Sequence, residues 1–253
     1  MQTSDKLRKR DDNEGASKVG APLEECLHRP YFDVLAELFY PQSCVGCTRR
    51  ASDVLCRSCF GALPRIEPPV CGRCGMPTAF EVYGCDACRN TDFAFDGARA
   101  PLRYEGVGEE VVHALKYRGY ARVVEKVMAP LMAALLEGEQ YSGVVPVPLH
   151  RARLARRGFN QAELMARAVA ARIGAPLSDK IKAVRRTRDQ VELAAGERRE
   201  NVAGAFEARG SLVGRVLLVD DVFTTGATLS ECAGVLRRAG VNEVQAVTFC
   251  RTI

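Results

Sequence analysis

The sequence predicts an α/β protein in which a mainly parallel sheet is flanked by helices and preceded by a small cysteine-rich module. Three observations support this fold class. Apolar strand-like runs alternate with helical patterns after residue 93, and this order is typical of a parallel sheet with helices on its faces. Four C-x-x-C pairs precede these elements. One predicted strand ends in two carboxylates, which are followed by a turn rich in threonine and glycine.

Composition narrows the class of protein. The chain of 253 residues is 47% hydrophobic, so it can bury a substantial core in one large domain or two smaller ones, and its net charge of +5 permits an anionic partner. It has no run of about 18 uncharged apolar residues, and its first 20 residues lack the apolar centre of a secretory signal. We therefore expect a cytoplasmic protein without membrane insertion. We expect residues 1–30, which begin with a highly charged stretch, to form a disordered tail.

A short helix should precede the cysteine-rich module. From Tyr31 to Tyr40 the apolar side chains recur at helical spacing, and Pro41 closes the segment. Residues 44–88 are rich in Cys, Gly and Pro and have few long apolar runs, so they cannot build an ordinary hydrophobic core. We expect the helix and the module to occupy residues 31–92 and a second domain to occupy residues 93–253.

The second domain is predicted to alternate helices with buried strands. Apolar periodicity predicts helices at Val111–Tyr117, Val123–Leu136, Gln161–Ile173 and Thr228–Ala239, the last of them closed by Gly240. Continuous apolar runs predict strands at 142–149, 215–221 and 243–250. The final strand–helix–strand unit implies parallel pairing. Residues 182–206 have weak periodicity and many charges, so we expect a long loop or a poorly ordered hairpin.

The cysteine spacing predicts two structural zinc sites. Each C-x-x-C pair places two thiolates on one tight turn, and two such turns supply the four tetrahedral sulfur ligands that zinc prefers. The predicted ligands are Cys44, Cys47, Cys56, Cys59, Cys71, Cys74, Cys85 and Cys88. The first four and the last four can each form a site, or the pairs can interleave in a cross-brace; the spacing fits both. Zinc binding contributes roughly 10 to 16 kcal/mol in small metallopeptides, so chelation should unfold this module.

The cysteine pattern also limits what the zinc can do. Four thiolates leave no open coordination position, which favours a structural role over hydrolytic chemistry. Nucleic-acid or protein contact through the arginines of the module is the alternative; these are Arg49, Arg50, Arg57, Arg65 and Arg73. Cys232 and Cys250 are isolated from the pairs and are expected to be buried apolar side chains.

The stretch "VLLVDDVFTTGATL" (216–229) predicts an anion site beside two acids. Its apolar run enters the sheet, so Asp220 and Asp221 emerge at the carboxyl end of the strand, where open α/β sheets bind ligands. The following turn leads into a helix whose first N–H groups are unpaired and attract phosphate. The acids would repel a polyanion, but they can accept hydrogen bonds from two neighbouring ribose hydroxyls. The pattern therefore favours a ribose 5-phosphate.

Two other interpretations of these acids are weaker. An apolar strand ending in acids is also typical of a magnesium-binding Walker B strand, but the chain contains no G-x-x-x-x-G-K-[ST] loop. The first acid, Asp220, could instead be a structural partner of a helix cap.

These motifs together resemble a known family. The stretch "VLLVDDVFTTGAT" (216–228) resembles the phosphoribosyl pyrophosphate (PRPP) signature of type I phosphoribosyltransferases. The cysteine pairs, with "ALKYRG" (114–119), "VVPVPLHRARLARRGFNQAELMA" (144–166) and "ERRENVAGAF" (197–206), narrow the resemblance to the competence protein ComF family. The resemblance runs from Tyr31 to Ile253. It implies a type I phosphoribosyltransferase fold behind an N-terminal double zinc ribbon.

The resemblance implies roles for particular residues. Asp220 and Asp221 would bind the ribose hydroxyls of PRPP and act in catalysis by favouring the positive charge that develops on the ribose. The 5-phosphate would lie on Thr224, Thr225, Gly226, Ala227 and Thr228. The segment "PVPLH" (146–150) stands where the family's pyrophosphate loop lies, and Lys116 and Arg157 would neutralise the pyrophosphate together with Mg²⁺. No histidine has a partner residue in the sequence that would indicate a role as a general base.

Basic residues are concentrated around the predicted site. Between Arg151 and Asn201 there are 13 Lys and Arg residues against 6 Asp and Glu. This charge suits pyrophosphate, and it also suits a single-stranded nucleic-acid backbone. The arginines at 185, 186 and 188 could close over a ligand, although Glu192 stands where the family usually has glycine.

The residues and the resemblance leave two functions open. One is Mg²⁺-dependent phosphoribosyl transfer to an unidentified acceptor. The other is a PRPP-responsive binding module without turnover, in which the zinc ribbon and basic loop handle single-stranded DNA during natural transformation, as the ComF resemblance implies. A competence helicase-type protein is the further partner that this resemblance suggests.

Overall fold

The computed structural model describes residues 43–187 and 200–253. Four of the expectations above lie outside the described residues: the tail at 1–30, the helix at Tyr31–Tyr40, and the loop positions Arg188 and Glu192. The structural statements that follow concern the described residues alone.

A five-stranded parallel sheet lies at the centre of the described residues. The strands, in chain order, are β1 (Gly97–Arg99), β2 (Leu102–Arg103), β3 (Gly143–Pro146), β4 (Ile181–Ala183), β5 (Phe206–Ala208), β6 (Arg215–Phe223) and β7 (Glu243–Arg251). The order across the sheet is β1-β7-β6-β3, and β2 follows β1 along the same side of β7. The two remaining strands, β4 and β5, form a separate antiparallel pair.

Seven α-helices and one π-helix lie wholly within the described residues, and residues 200–202 are also helical. The complete helices are α1 (Arg57–Gly61), α2 (Asp86–Arg89), α3 (Gly106–Arg118), the π-helix Val124–Met128, α4 (Ala129–Ala134), α5 (Arg151–Arg157), α6 (Gln161–Ile173) and α7 (Ala227–Arg238). Within the described ranges, no helix is long and apolar enough to cross a membrane.

The sheet is buried on both faces, as its uninterrupted apolar strands require. Alternate residues of β6 enter different cores: Leu217 and Val219 pack with α3, α4 and α6, whereas Val216 and Leu218 pack with α7. The cysteine-rich module is divided in the same way. Its first half, including Val45 and Leu55, belongs to the α3 side, and its second half belongs to the α7 side.

The longest predicted elements are confirmed. The helix at Gln161–Ile173 has the predicted bounds, because the side chain of Asn160 accepts from the N–H of Ala162 at its start and Gly174 adopts φ +68° at its end. The strand predicted at 215–221 continues to residue 223, and the following helix ends before Gly240, which has φ +104°.

Several local predictions differ from the structure. The strand predicted at 142–149 spans only Gly143–Pro146, because the chain turns at a proline-rich segment and then forms α5, which was not predicted. The helix predicted from Val111 begins earlier, at Gly106. The helix predicted at Val123–Leu136 combines the π-helix with α4. The ends of the predicted hairpin at 182–206 lie in the antiparallel pair β4–β5.

Candidate active site and metal centres

The two predicted acids lie at the carboxyl end of β6. This strand pairs with β3 up to Pro146, which lies opposite Val219, so Asp220 and Asp221 extend beyond the end of the neighbouring strand. The N–H of Val147 donates to the carbonyl of Val219 and keeps the segment 147–150 beside the acids. The predicted pyrophosphate loop and the acid pair therefore line the same cavity.

Asp221 is held by two side chains from different helices. The ammonium of Lys116, near the end of α3, lies 2.9 Å from Oδ2 of Asp221. The amide of Gln161, at the start of α6, donates to the same oxygen at 3.0 Å. Only 5% of Asp221 is exposed, so both contacts hold a buried carboxylate, which agrees with the rule that buried charges are paired.

Lys116 and Arg157, the predicted pyrophosphate ligands, both line the cavity. In this structure Lys116 contacts Asp221 directly. Arg157 reaches the acid through Gln161, because its guanidinium donates to Oε1 of that residue at 2.7 Å. The structure thus brings both cations to the acid pair, and their contact with pyrophosphate stays a prediction.

Gln161 is a site residue that the sequence analysis missed. It is 7% exposed and lies on the buried face of α6, four residues before the fully buried Met165. A polar residue at an apolar position of a helix was the available signal, because such a side chain must find a partner inside the protein.

Asp220 has a different environment from Asp221. One of its oxygens, Oδ1, accepts from the backbone N–H of Asp221 at 2.9 Å. Desolvation at the strand end and the adjacent charge of Asp221 raise the pKa of Asp220 to about 7, although Lys116 and Arg157 act in the opposite direction. The acid pair thus combines one carboxylate that is ion-paired with one whose charge is disfavoured in the absence of ligand.

The predicted phosphate loop leads directly into helix α7. Gly226 is the N-cap of α7, adopts φ +76° and provides no side-chain cap for the first turn, where helical N–H groups lack intrahelical acceptors. A β-carbon at this position would lie 2.7 Å from Cζ of Phe223 and 2.8 Å from Cε1 of Phe93. Glycine is required here by both the backbone conformation and the two rings.

The acids and the loop open onto a cavity of about 400 Å³. Its lining includes Asp220, Asp221, Thr224 and Thr228. Five basic side chains also line it: Lys116, Arg153, Arg156, Arg157 and Arg185. Basic groups therefore outnumber the carboxylates among the described lining residues, and the site can accept an anion with more charge than one phosphate.

Three cavity residues also support the surrounding backbone. Arg185 donates to the carbonyls of Asn201 and Ala203 at 3.0 and 2.7 Å, and Arg153 donates to the carbonyl of Thr187 at 2.9 Å. His150 is the N-cap of α5, since its Nδ1 accepts from the N–H of Ala152 at 3.2 Å. A capping role explains this histidine without a role as a general base.

The eight paired cysteines form two clusters, and the sequential pairing is confirmed. One contains Cys44, Cys47, Cys56 and Cys59, and the other contains Cys71, Cys74, Cys85 and Cys88; within each, the sulfur atoms all lie within 4.8 Å of one another. Tetrahedral zinc with Zn–S bonds near 2.3 Å requires sulfur atoms about 3.8 Å apart. The observed separations include 3.9 Å for Cys47–Cys56, 3.8 Å for Cys71–Cys88 and 3.6 Å for Cys74–Cys85.

The two clusters are built alike. The N–H of Cys56 donates to the sulfur of Cys44 at 3.3 Å, and the N–H of Cys85 donates to the sulfur of Cys71 at the same distance. In both clusters the second C-x-x-C pair starts a short helix, α1 or α2. The two clusters therefore share one local geometry, which fits two zinc sites of the same type.

A bound cation would be needed for all four thiols of a cluster to ionise. The bond from Arg49 lowers the pKa of Cys47 to about 6, whereas burial among neighbouring sulfurs raises the pKa of Cys59 to about 12 and that of Cys88 further. Four thiolates cannot be buried together without a compensating charge. A divalent ion with soft-ligand affinity, such as zinc, fits both donor sets.

Comparisons with known proteins agree with both parts of the structure. Residues 35–89 match the model of the double zinc ribbon domain, and residues 154–253 match the model of the phosphoribosyl transferase domain. The DNA utilization protein YhgH of Salmonella typhimurium is 31% identical over 79% of this chain and 91% of its own length. Competence protein F of Haemophilus influenzae is 29% identical over 82% and 96%. Competence protein ComFC of Bacillus subtilis is 24% identical over 76% and 81%.

Proposed function

Because this chain belongs to the ComF family, with a double zinc ribbon and a type I phosphoribosyltransferase fold, we propose that it is a PRPP-binding phosphoribosyltransferase. The reaction would be a Mg²⁺-dependent pentosyl transfer to an acceptor such as a nucleobase or amine. PRPP is an intracellular nucleotide precursor, and reduced thiolates persist in the cytoplasm, so this activity belongs in that compartment.

One observation carries this proposal: the acid pair, the two end residues of the predicted phosphate loop, Thr224 and Thr228, and the basic side chains line a single cavity. A ribose placed at Asp220 and Asp221 would project its 5-phosphate toward the loop at Gly226. Its pyrophosphate would face the segment 147–150 and the arginines. The three parts of PRPP thus each meet a group of complementary charge or hydrogen-bonding capacity.

The acid pair can act on the reaction as well as on binding. One oxygen of Asp221 is occupied by Lys116 and Gln161, so its second oxygen and the carboxylate of Asp220 are the groups for the ribose hydroxyls. As pyrophosphate leaves, positive charge develops on the ribose, and a nearby carboxylate stabilises it. The basic side chains stabilise the departing pyrophosphate.

Mg²⁺ would serve the departing group. Its hard oxygen ligands would come from pyrophosphate, and the negative charge of Asp220 and Asp221, the two acids of this cavity among the described residues, would favour the ion nearby. The ion supplies charge neutralisation of the pyrophosphate. A bound cation would also favour the ionised form of Asp220, whose pKa is raised in the protein alone.

Calorimetric titration with PRPP and Mg²⁺ tests the proposal. We expect saturable binding that the double substitution Asp220→Ala/Asp221→Ala weakens by at least about 100-fold, since two charge-assisted hydrogen-bonding groups are lost. Asp179→Ala is the matched control, because Asp179 is an exposed acid paired with Arg209, and neither residue lines the cavity. Undiminished affinity in the double variant would place the site elsewhere. Pyrophosphate release on adding nucleobases or amines tests turnover separately.

A second candidate function is a PRPP-responsive module that handles single-stranded DNA. Relatives of this chain are named competence and DNA utilization proteins, and a competence helicase-type protein is a further candidate partner. Two aromatic side chains in the second half of the cysteine-rich module, Phe80 and Tyr83, are 70% and 72% exposed. Exposed aromatic rings can stack with unpaired bases. DNA affinity that falls steeply with salt, without pyrophosphate release, would favour this function over transfer.

A further inference from the structure

Arg251, the last residue of β7, is a buried cation. It is 2% exposed. Its guanidinium donates to the backbone carbonyl of Cys74 and, at 3.2 Å, to that of Thr252. In the part of the chain that the structure describes, no carboxylate lies within ion-pair distance of this guanidinium. A buried charge of this kind is strongly unfavourable unless another charge compensates it.

The second cysteine cluster can supply that compensation when it holds a metal ion. Zinc with four thiolates carries two net negative charges, and Arg251 contacts the backbone of one of its ligands, Cys74. The arginine and an occupied metal site would therefore stabilise each other.

The same guanidinium also contacts Phe223, the residue immediately before the predicted phosphate loop. Its central carbon lies 4.8 Å from the centroid of the Phe223 ring, which is within the range of a cation–π contact. Phe223 ends β6 and meets Phe93 edge-to-face at 6.1 Å. These two rings are the ones against which Gly226 packs. The loop therefore packs on an aromatic pair, Phe93 and Phe223, and Arg251 contacts the second of these rings.

Backbone contacts join the same parts. Arg73, which lies between Cys71 and Cys74, donates to the carbonyl of Phe93 at 2.8 Å. The N–H of Thr252 donates to the carbonyl of Phe223 at 2.9 Å, and its hydroxyl donates to the carbonyl of Thr224 at 3.4 Å. The second cysteine cluster, the end of β7 and the phosphate loop are thus connected through consecutive contacts.

We propose that Arg251 is a positioning residue that couples the second zinc site to the phosphate loop, by balancing the charge of the metal–thiolate cluster and holding Phe223 beneath Gly226. Loss of zinc from Cys71, Cys74, Cys85 and Cys88 then loosens the loop. The effect on the loop's ligand rests on the proposed function, whereas the coupling of metal and loop does not.

The first zinc site offers a matched control. Its arginine, Arg49, donates to the sulfur of Cys47 at 3.5 Å but is exposed. This site packs against α3, where a β-carbon on Gly46 would lie 3.1 Å from Val107, and it belongs to the core on the other face of the sheet. Loss of this site should leave the phosphate loop unchanged.

Cysteine alkylation under chelator challenge tests the metal contact in the full chain. In Arg251→Met, we expect the four cysteines of the second site to be alkylated about 10- to 100-fold faster than in the wild type, the usual cost of losing a group that supports a metal ligand. Arg251→Lys, which keeps the charge, should be slower than Arg251→Met. Arg49→Gln should accelerate only the first site. Wild-type alkylation rates in Arg251→Met, or equal rates in both Arg251 variants, would overturn the role as a counter-charge.

Hydrogen–deuterium exchange of residues 222–229 tests the coupling to the loop. We expect faster exchange in Arg251→Met and unchanged exchange in Arg49→Gln. If Arg251→Met does not fold, a chelator titration of the wild type decides: exchange of the loop should rise as the second site loses zinc and not as the first site does. Loop exchange that does not follow the second site would overturn the proposal.

PRPP titration separates this inference from the proposed function. If the wild type binds PRPP, Arg251→Met should raise the dissociation constant and Arg49→Gln should not. If the wild type does not bind PRPP, the proposed function fails, yet alkylation and exchange still decide whether Arg251 couples the metal to the loop.

Discussion

At the scale of single residues, the site depends on charges placed where solvation is poor. Asp220 is the clearest case, because desolvation and the charge of Asp221 raise its pKa to about 7 from a usual value near 3.9. A raised acid pKa means that the ionised carboxylate opposes folding. This cost is absent below about pH 4, grows as the pH approaches 7, and is complete above it.

Asp220→Asn should therefore stabilise the ligand-free protein more at pH 8 than at pH 5. The amide oxygen can still accept from the N–H of Asp221, and each kcal/mol gained raises the Tm of a domain of this size by about 2–4 °C. Thermal denaturation of both proteins at the two pH values measures the difference. A gain in Tm that is equal at pH 5 and pH 8 contradicts a raised pKa.

Gly226→Ala should weaken both folding and binding. The new β-carbon would overlap Phe223 and Phe93 and occupy a backbone conformation that disfavours alanine, so we expect a loss of about 1–3 kcal/mol in the free energy of unfolding. Gly174→Ala is the control, because Gly174 has φ +68° but a β-carbon added there would have no atom within 4 Å. Equal losses in urea denaturation would show that the rings add nothing to the cost.

At the scale of elements, the sequence predicted the units that have their own strong signal. Helix α6 combines an apolar stripe with Asn160 and Gly174 at its ends, and these local signals determine its bounds. The acids and the loop follow directly from one apolar strand. Gln161 was missed because its importance arises only when α6 packs beside β6 and brings the amide to Asp221, a contact across 60 positions of the chain.

The zinc sites show the same division between local and tertiary information. The C-x-x-C spacing predicted the ligands but fitted two pairings. The three-dimensional structure selects the sequential pairing, because consecutive C-x-x-C pairs lie together in each cluster. Arg251 lies 177 positions from Cys74, so no local pattern links it to the metal.

Metal removal should affect the cysteine-rich module first. We expect a bound zinc for each of the two clusters, and chelation should expose residues 43–92, since they lack an independent core. Metal analysis and limited proteolysis measure the two effects. Protection from protease that survives complete zinc removal would show that the module is held by packing alone.

At the scale of the whole molecule, the two halves of the cysteine-rich module contact opposite sides of the central sheet. Backbone bonds also join the module to β2, where the N–H of Ile66 donates to the carbonyl of Pro101 and that of Arg103 donates to the carbonyl of Pro64. The predicted boundary at residue 93 therefore crosses a continuous core within the described residues, although the sequence motifs on its two sides are distinct.

Residues 93–253 expressed alone should consequently aggregate or remain partly unfolded, because apolar surface that the module covers would face water. Comparison of its solubility and its thermal transition with those of the full chain checks this expectation. A monomeric fragment with the full chain's Tm would contradict it.

The arrangement of the module around the sheet has a consequence for how such a protein could arise and change. A module that packs against both sides of a sheet cannot be lost or exchanged without exposing apolar surface of that sheet to water. Substitutions in the cysteine-rich module and in the sheet residues that it contacts should therefore be correlated among related sequences.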